Sequence, residues 1–311
     1  MTGIPKCSNL EETQKAAQIY LQLRQNRPTT KQHLKNYVKV FLGIDVPDKK
    51  ICPEHNSPMD YLWYSFWSDF STIRPRNADA VIWANRAGGK TELAAAATLL
   101  DCIFKPNCQV RILGGSGEQA GRMYEYLQGF LNMGFGDLLV GSALKDKCSF
   151  VNGSAVEVLT QSATSVRGQH IQKLRCDEVE LFDEDVFAAA KFTTQSANGL
   201  LAAMEMISTM HRPYGLMQRI VSSAQQSQTP LFKWCLWEVM EKCTGRNCSQ
   251  CALWADCAGK AKETAGFLKI DDCITQMNRS SRACILRLFH KTRTLNQLGY
   301  KLCNINYLEY P

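Results

Sequence analysis

Residues 81–92 read VIWANRAGGKTE, a short apolar run that breaks into a glycine-containing loop. The loop leads directly into residues 93–104, an alanine-rich segment typical of a helix. In a strand, loop and helix of this order, the loop N–H groups and the positive end of the helix face bound phosphate. Lys90 can then reach the β- and γ-phosphates and the Thr91 hydroxyl can bind Mg²⁺, so the stretch predicts a nucleotide site.

The match to the full phosphate-loop pattern GxxxxGK[ST] is incomplete. Ala84 occupies the position of the first glycine. Gly88 and Gly89 keep the part of the loop that must approach the phosphates, because neither residue has a side chain. An ordinary strand–turn–helix junction is the alternative interpretation of these residues.

A second part of the predicted site lies in residues 171–178, IQKLRCDE. This mostly apolar segment predicts a buried strand with two carboxylates at its C-terminal end, where open α/β sheets bind ligands. Asp177 would hold Mg²⁺ through water, and Glu178 would polarise the attacking water. The alternative is that the acidic stretch DEVELFDED is the solvated start of a helix.

A third apolar run, in residues 204–216, reads MEMISTMHRPYGL and contains two adjacent hydroxyl residues. At the end of a strand, Ser208 and Thr209 could sense a γ-phosphate. Taken alone, a Ser-Thr pair more often marks a turn or a helix cap. The order of glycine loop, Asp-Glu and Ser-Thr is therefore more informative than any one of the three motifs.

In this order of motifs, the chain resembles the ATPase domain of the large terminase subunit of tailed phages, the motor that packages DNA into preformed capsids. The resemblance runs from about residue 58 to residue 272 and is strongest in three segments. These segments are ANRAGGKT, with Arg86 before GGKT, SATSVRGQHIQKLRCDEVELFDEDVF, and ISTMHRPYGLMQRI.

The resemblance implies a role for each matched residue. Ser208 and Thr209 would couple hydrolysis to movement, and Arg167 lies where family members can present an arginine to the nucleotide of a neighbouring subunit. It further implies a homo-oligomeric ring on double-stranded DNA, with a small terminase subunit and a capsid portal as partners. The residues assigned to ATP, Mg²⁺ and the attacking water are Arg86, Gly88, Gly89, Lys90, Thr91, Asp177 and Glu178.

The predicted fold is an α/β domain of the P-loop NTPase (RecA/ASCE-like) class, a mostly parallel sheet flanked by helices. The expected strands are residues 80–84, 109–114, 174–176, 204–207 and 219–223, with a hairpin near residues 149–160. The expected organisation is an N-terminal helical segment (1–57), the ATPase domain (58–228), a cysteine-rich metal-binding module (229–272) and an irregular or truncated tail (273–311).

Composition agrees with an intracellular enzyme that contacts a polyanion. The chain has 311 residues, 45% of them hydrophobic, and a formal net charge of +7. That size suffices for one sizeable core, and the charge suits nucleic acid, although many cytosolic enzymes are mildly basic. The sequence has neither an apolar run of the roughly 20 residues that span a bilayer nor a signal-peptide core. We therefore expect no membrane association and a location in the host cytoplasm.

Most of the 14 cysteines are scattered singly through apolar runs, as in reduced core positions. The exception is the segment KCTGRNCSQCALWADCAGKAK, which follows the spacing CX4CX2CX5C. Four thiolates so close in sequence can close around one zinc ion or one iron–sulfur cluster, and the spacing does not separate the two. These predicted metal ligands are Cys243, Cys248, Cys251 and Cys257.

Two further patterns suggest a metal less strongly. Cys52 and His55 form a C-x-x-H pair, but the sequence shows no partner residues near them. Cys235 lies on the segment WCLWEVM, where helical spacing beside two tryptophans favours packing in a core. We therefore expect no metal at either position.

The function that these observations favour is Mg²⁺-dependent ATP hydrolysis that drives double-stranded viral DNA into a capsid. A helicase-like P-loop ATPase is an alternative, although it calls for a second motor domain that the sequence does not show. A non-catalytic, metal-stapled nucleic-acid-binding module is the other, supported mainly by Ala84. Nuclease activity is not expected, because the region after the cysteine module offers few paired carboxylates.

Overall fold

The computed structural model describes residues 10–73, 78–159, 162, 166, 171–210 and 214–279, apart from the side chains of residues 10–13 and 276–277. Its centre is a seven-stranded sheet with the strand order β3-β4-β2-β5-β6-β1-β7. The strands are β1 (Ala80–Ala84), β2 (Gln109–Gly114), β3 (Lys147–Ser149), β4 (Ala155–Leu159), β5 (Lys173–Asp177), β6 (Ala203–Ser208) and β7 (Leu231–Trp234).

Helices cover both faces of the sheet and extend beyond its edge. Short 3₁₀ turns occur at Gly136–Leu138, Val179–Leu181, Cys248–Gln250 and Lys260–Lys262. The α-helices are α1 (Leu10–Gln25), α2 (Lys31–Phe41), α3 (Pro58–Trp67), α4 (Lys90–Phe104), α5 (Gly117–Asn132), α6 (Glu184–Ala190), α7 (Leu216–Ser227), α8 (Leu236–Val239), α9 (Trp254–Cys257) and α10 (Ile270–Arg279).

The sheet is parallel except at its β3 edge. β3 pairs antiparallel with β4, and Gly153 in the intervening turn has a φ of 84°. A positive φ suits glycine, and the dipeptide Asn152-Gly153 at this place is typical of a hairpin turn. The expectation of a mostly parallel sheet flanked by helices, with a hairpin at this place, is confirmed.

The strands of the sheet separate two hydrophobic layers. Ala80, Ile82 and Ala84 of β1 pack in the layer formed with α2 to α5, whereas Val81 and Trp83 pack in the layer formed with α6 and α7. Every residue of β1 and β5 is buried. Burial on both sides explains why β1 reads as an apolar run. In β5 the residues Lys173, Arg175 and Asp177 alternate with apolar ones, although they are buried too.

The structure corrects one predicted strand and extends the sheet beyond its predicted end. Residues 219–223 belong to the helix α7, because Met217, Ile220, Val221 and Ala224 are buried at helical spacing. A five-residue window hid this period. The last strand of the sheet is β7, which lies after residue 228 and pairs with β1.

A third apolar cluster lies beyond β7 and joins residues of the N-terminal and cysteine-rich segments. Its buried members include Cys235, Trp237, Leu253 and Cys257. No helix in the described part of the chain combines the length and apolar character that crossing a membrane would require.

Candidate nucleotide site

Three neighbouring strands bring the predicted motifs to one edge of the sheet. β6 lies between β1 and β5, and all three run parallel. Trp83 of β1 is level with Ser208, and Asp177 of β5 is level with Ile207. The glycine loop, Ser208 and Asp177 therefore leave the sheet side by side.

The loop between β1 and α4 has the backbone shape of a tight anion-binding turn. Ala87 and Gly89 both have positive φ values, 60° and 76°. The N–H of Gly88 donates to the carbonyl of Asn85 at 3.1 Å, and a Cβ on Gly88 would lie 2.6 Å from Asn85 Oδ1. This close approach excludes any side chain at Gly88. The helix α4 begins at Lys90, so its positive end points toward the loop.

Lys90 reaches across the strand ends to the other two motifs. Its Nζ lies 2.8 Å from Glu178 Oε1 and donates to Thr209 Oγ1 at 3.0 Å. The Lys90 side chain is only 8% exposed, so it is not a solvated loop lysine. Beside it, the Thr91 hydroxyl donates to Asp177 Oδ2 at 2.9 Å.

Glu178 adopts an unusual backbone conformation that turns its carboxylate toward this network. Its φ and ψ are 53° and 50°, in the left-handed region that is strained for residues other than glycine. The other carboxylate oxygen, Oε2, lies 3.1 Å from Ser208 Oγ, which also accepts the N–H of Glu180 at 3.3 Å. Residues predicted separately from three sequence motifs are thus joined in one hydrogen-bonded group.

The carboxyl group of Asp177 has a raised pKa. Burial raises its pKa to about 6, Lys90 acts in the opposite direction, and Glu178 adds to the increase. The hydrogen bond from Thr91 also favours the ionised form. A nearly buried carboxylate with so little compensation is a strong candidate for a cation ligand.

The residues at this edge fit a nucleotide and its divalent cation. The Lys90 amine lies within hydrogen-bond distance of the Glu178 carboxylate, and the Thr91 hydroxyl within that of the Asp177 carboxylate, next to a loop that tolerates no side chain at Gly88. Each of these pairs joins a hydrogen-bond donor to a carboxylate, Lys90 to Glu178 and Thr91 to Asp177. An anionic ligand and a cation can each replace one member of these pairs.

Of the two arginines predicted to act on the nucleotide, only Arg86 belongs to the described residues. Arg86 is exposed at the turn of the glycine loop, on the side open to solvent. Arg167 lies outside the described residues, so its position relative to Glu178 stays a prediction.

Two aromatic residues that sequence reasoning missed also contact the glycine loop. The buried Trp234, at the end of β7, donates its Nε1–H to the carbonyl of Gly88 at 2.9 Å. Phe267 approaches from beyond the cysteine-rich segment, with its Cζ 3.1 Å from where a Cβ on Gly89 would stand. For Trp234, an aromatic at the end of an apolar run was the available signal, but only pairing of β7 with β1 reveals its target.

The four predicted metal-binding cysteines lie in one compact segment. The N–H of Cys243 donates to the Ala261 carbonyl at 2.7 Å, and Cys257 Sγ accepts the N–H of Ala261 at 3.4 Å. Burial raises the pKa of Cys243, and so does the proximity of Cys248, Cys257 and Cys251. Among the described residues, these four sulfurs do not form a group whose ligand atoms all lie within 4.8 Å of one another. Their binding of zinc or an iron–sulfur cluster stays a prediction.

The expectation that Cys52 and His55 have no partner residues is wrong. The structure places Cys235 and Glu238 beside them, and in the part of the chain that it describes these four form the candidate metal-binding group. Cys235 does pack in a core, as predicted, but that core also receives the N-terminal segment. The sequence could not show this contact, because about 180 residues separate the two pairs.

Comparison with solved structures places this architecture among phage large terminases. The large terminase of bacteriophage HK97 aligns with 84% of this chain at 17% identity and a TM-score of 0.57, over 55% of its own length. The ADP complex of a large terminase from a thermophilic bacteriophage aligns with 55% of this chain at 12% identity and a TM-score of 0.45, over 44% of that chain. The ATPase domain of the Thermus phage P74-26 large terminase aligns with 58% at 15% identity and a TM-score of 0.35, over 87% of that domain.

The similarity to the HK97 protein establishes a shared fold. The chain has the fold of a phage large terminase, with the seven-stranded, mostly parallel sheet described above. It spans about half the length of the longer of these proteins, 55% for HK97 and 44% for the ADP complex. No family model matches the chain, and no curated protein matches it.

Proposed function

We propose that this protein hydrolyses ATP in a Mg²⁺-dependent manner and uses the energy to move double-stranded viral DNA into a capsid. The observation that carries the proposal is the network at the sheet edge, in which Lys90 contacts both Glu178 and Thr209 while Thr91 contacts Asp177. Phosphoryl transfer needs this combination of cation, metal ligand and water-orienting carboxylate. The large-terminase fold supports the packaging role.

Each residue of the network has a distinct role in this proposal. Gly88 and Gly89 admit the phosphates to the backbone N–H groups, and Lys90 compensates their charge. Thr91 and Asp177 would hold Mg²⁺, which supplies further charge compensation at the phosphates when bound.

Glu178 is proposed to orient and polarise the attacking water. Lys90 and Ser208 hold its carboxylate in one orientation, so little side-chain entropy is lost when it orients the water. Thr209 contacts the same Lys90 amine. A change at the phosphates that moves Lys90 would therefore alter its contact with Thr209 directly and the position of Ser208 through Glu178. For this reason we assign Ser208 and Thr209 to the coupling between hydrolysis and movement.

The assembly that we propose is a homo-oligomeric ring on DNA, with a small terminase subunit and a capsid portal as partners. In such a ring Arg167 would complete the site of a neighbouring subunit. A trans-acting arginine can raise the rate by about 10³-fold or more, so turnover should be slow in the isolated chain and faster in the ring. Arg86, exposed at the glycine loop, is the second arginine near the nucleotide.

The test is ATP turnover by the purified chain and two variants. Lys90→Ala should lose both nucleotide binding and hydrolysis, because the phosphates lose their cation. Glu178→Gln should still bind ATP but hydrolyse it about 10²–10⁴-fold more slowly, because the shape remains and the base is lost. Thermal unfolding of each variant serves as the control for folding.

Two outcomes would contradict the proposed ATPase activity, and the second would favour the non-catalytic alternative. Unchanged turnover in Lys90→Ala would refute the assignment of the glycine loop to phosphate binding. Absence of turnover in the wild-type protein, in the presence of DNA and Mg²⁺, would favour a non-catalytic nucleic-acid-binding module.

A further inference from the structure

Two short sequence pairs meet beyond the edge of the sheet. Residues 52–55 read CPEH and residues 235–238 read CLWE, so each pair places two metal-binding side chains three residues apart. Ligand atoms of Cys52, His55, Cys235 and Glu238 all lie within 4.8 Å of one another. Neither pair belongs to the nucleotide site or to the CX4CX2CX5C segment.

The distance between the two sulfurs of this group matches the dimensions of a tetrahedral zinc site. The sulfurs of Cys52 and Cys235 are 3.9 Å apart. Two sulfurs bound at about 2.3 Å to one tetrahedral zinc ion are separated by about 3.8 Å, whereas a disulfide would bring them to about 2.05 Å. On the other side of the group, His55 Nδ1 and Glu238 Oε2 form a hydrogen bond of 2.9 Å. Two tetrahedral ligands bound at about 2.0 Å are about 3.3 Å apart, so this pair must separate by a few tenths of an ångström when both atoms bind the ion.

The backbone holds both pairs in place. The N–H of Asn56 donates to the Lys233 carbonyl at 2.7 Å, and the N–H of Lys233 donates to Asn56 Oδ1 at 3.1 Å. These bonds attach the CPEH turn to β7, directly before Cys235. Because the scaffold is anchored through the main chain, the four side chains need no large movement to share one ion.

Three of the four residues are buried, and Cys52 is partly buried. His55 is 5% exposed, Cys235 is fully buried and Glu238 is 1% exposed. Glu238 accepts the N–H of Cys52 at 2.7 Å and that of Cys235 at 2.8 Å, which orients its carboxylate.

We propose that Cys52, His55, Cys235 and Glu238 bind one Zn²⁺ ion that fastens the segment after the N-terminal helices to the end of β7. Two thiolates, an imidazole and a carboxylate are a ligand set that suits zinc in tetrahedral geometry. The site is distinct from the four-cysteine segment, although both contribute to the same apolar cluster.

The position of this zinc site ties it to the glycine loop. Cys235 directly follows Trp234, whose indole N–H donates to the carbonyl of Gly88. An ion that fixes Cys235 therefore also fixes the tryptophan that supports the loop. Binding of zinc does not depend on ATP hydrolysis, so the site can be tested whether or not the proposed function holds.

The first experiment measures zinc per chain by elemental analysis of the purified protein. The Cys52→Ser/Cys235→Ser double variant should lose one zinc ion per chain relative to wild type. Cys273→Ser is the matched control, because Cys273 is a buried thiol of the same cluster but not of the proposed site, and its zinc content should not change. Cys243→Ser/Cys251→Ser reports separately on metal at the other cysteines.

A second experiment needs no variant and covers the case in which the double variant fails to fold. Wild-type protein is alkylated with and without EDTA, and each cysteine is followed by peptide mass spectrometry. Cys52 is only partly buried, so a bound zinc ion should protect it and its removal should make it reactive, with protection restored by added Zn²⁺. Equal alkylation of Cys52 with and without the chelator, or iron in place of zinc at this position, would overturn the proposal.

Discussion

Two charged networks share the strands β5 and β6, and they are built differently. The inner network joins helices α3 and α4 to strands β5 and β6 through buried ion pairs. The edge network lies at the ends of β5 and β6, beside the glycine loop. The inner network comprises Asp69, Asp101, Lys105, Lys173, Arg175 and Glu205, and the edge network comprises Lys90, Thr91, Asp177, Glu178, Ser208 and Thr209.

The strand β5 contributes to both networks by simple alternation. Lys173, Arg175 and Asp177 follow each other at every second position, so they share one face. Arg175 lies 2.7 Å from Asp101 and 3.1 Å from Glu205, so two carboxylates compensate its charge. Asp177, two residues further on, receives a hydroxyl hydrogen bond in place of such an ion pair.

The pKa values of two aspartates express this difference. Burial acts to raise the pKa of Asp69, but Lys105 and Lys173 outweigh it and lower the pKa to about 2. For Asp177, burial prevails and raises the pKa to about 6. The paired charge of Asp69 attaches the helices to the sheet, whereas the poorly compensated charge of Asp177 lies where a cation can bind.

Acid should affect the two networks in opposite directions. Asp69 has a lowered folded-state pKa, so its contribution to stability is present above about pH 4 and is lost as the pH falls through about 2. Asp177 has a raised folded-state pKa, so its ionised form destabilises the protein above about pH 6, and protonation below that pH removes the penalty.

The largest loss of stability is expected from Arg175→Met, which removes the central cation of the inner network. Asp101 and Glu205 would lose a fully buried cation that contacts both, and removing one partner of a buried pair costs about 3–5 kcal/mol. We expect this loss in the free energy of unfolding, measured by urea denaturation. A loss below about 1 kcal/mol would show that Lys105 and the hydroxyls of Tyr61 and Ser65 compensate the carboxylates without Arg175.

The control for this variant is Arg219→Met. Arg219 also pairs with a carboxylate, that of Glu184, but the two side chains are 56% and 74% exposed. Solvent screens such pairs, so the unfolding free energy should change little. The difference between the two variants isolates the effect of burial from the effect of charge.

The edge network could be predicted from sequence and the inner network could not. Lys90, Asp177 and Ser208 occur at the ends of apolar runs, and parallel strands bring such ends together. Lys105 and Arg175 read as ordinary charges within or after apolar segments, because their partners come from elements far away in sequence.

The same limit explains the two other features that the sequence did not show. Trp234 reaches the glycine loop only because β7 adds to the sheet beside β1, and the CPEH turn meets Cys235 only because Asn56 attaches to that strand. The motifs can be recognised from neighbouring residues in the sequence. The residues that hold them in place come from distant parts of the chain, so only the fold reveals them. The misread helix at residues 219–223 is a local error, which a longer window would have avoided.

An effect of opposite sign is expected from Asp177→Asn in the edge network. The neutral amide removes the cost of a buried, poorly compensated charge, so the unfolding free energy at pH 8 should rise by about 1–3 kcal/mol, as a pKa near 6 implies. The gain should shrink as the pH falls through about 6, because wild-type Asp177 then becomes protonated. ATP hydrolysis should be lost in the same variant, since an amide is a poor Mg²⁺ ligand.

Urea denaturation at pH 8 and pH 5 checks this prediction. Asp183→Asn is a suitable comparison, because Asp183 caps helix α6 and lies outside the edge network. That variant should lose a fraction of its cap energy, about 0.5–2 kcal/mol at most, and show no gain at pH 8. A destabilised Asp177→Asn would mean that Asp177 is ionised and well compensated in the fold, as Asp69 is.

The smallest effect is expected from Trp234→Phe, which removes a support of the edge network without touching any charge. The variant loses the indole hydrogen bond to Gly88, worth about 0.5–1.5 kcal/mol, while most of the aromatic packing is kept. Because that bond positions the loop backbone, we expect nucleotide affinity to fall about 2–10-fold, with little change in the unfolding free energy beyond the lost bond.

Calorimetric titration with ATP and Mg²⁺ gives the affinity, and Trp63→Phe provides the matched control. Trp63 stacks on Trp67 with ring centroids 4.8 Å apart and lies on helix α3, away from the glycine loop. Both variants lose the same atoms, but Trp234 is fully buried and Trp63 is partly buried, so the comparison is made on nucleotide affinity and not on the free energy of unfolding. If both weaken nucleotide binding equally, the loop is held by general packing and not by the end of β7.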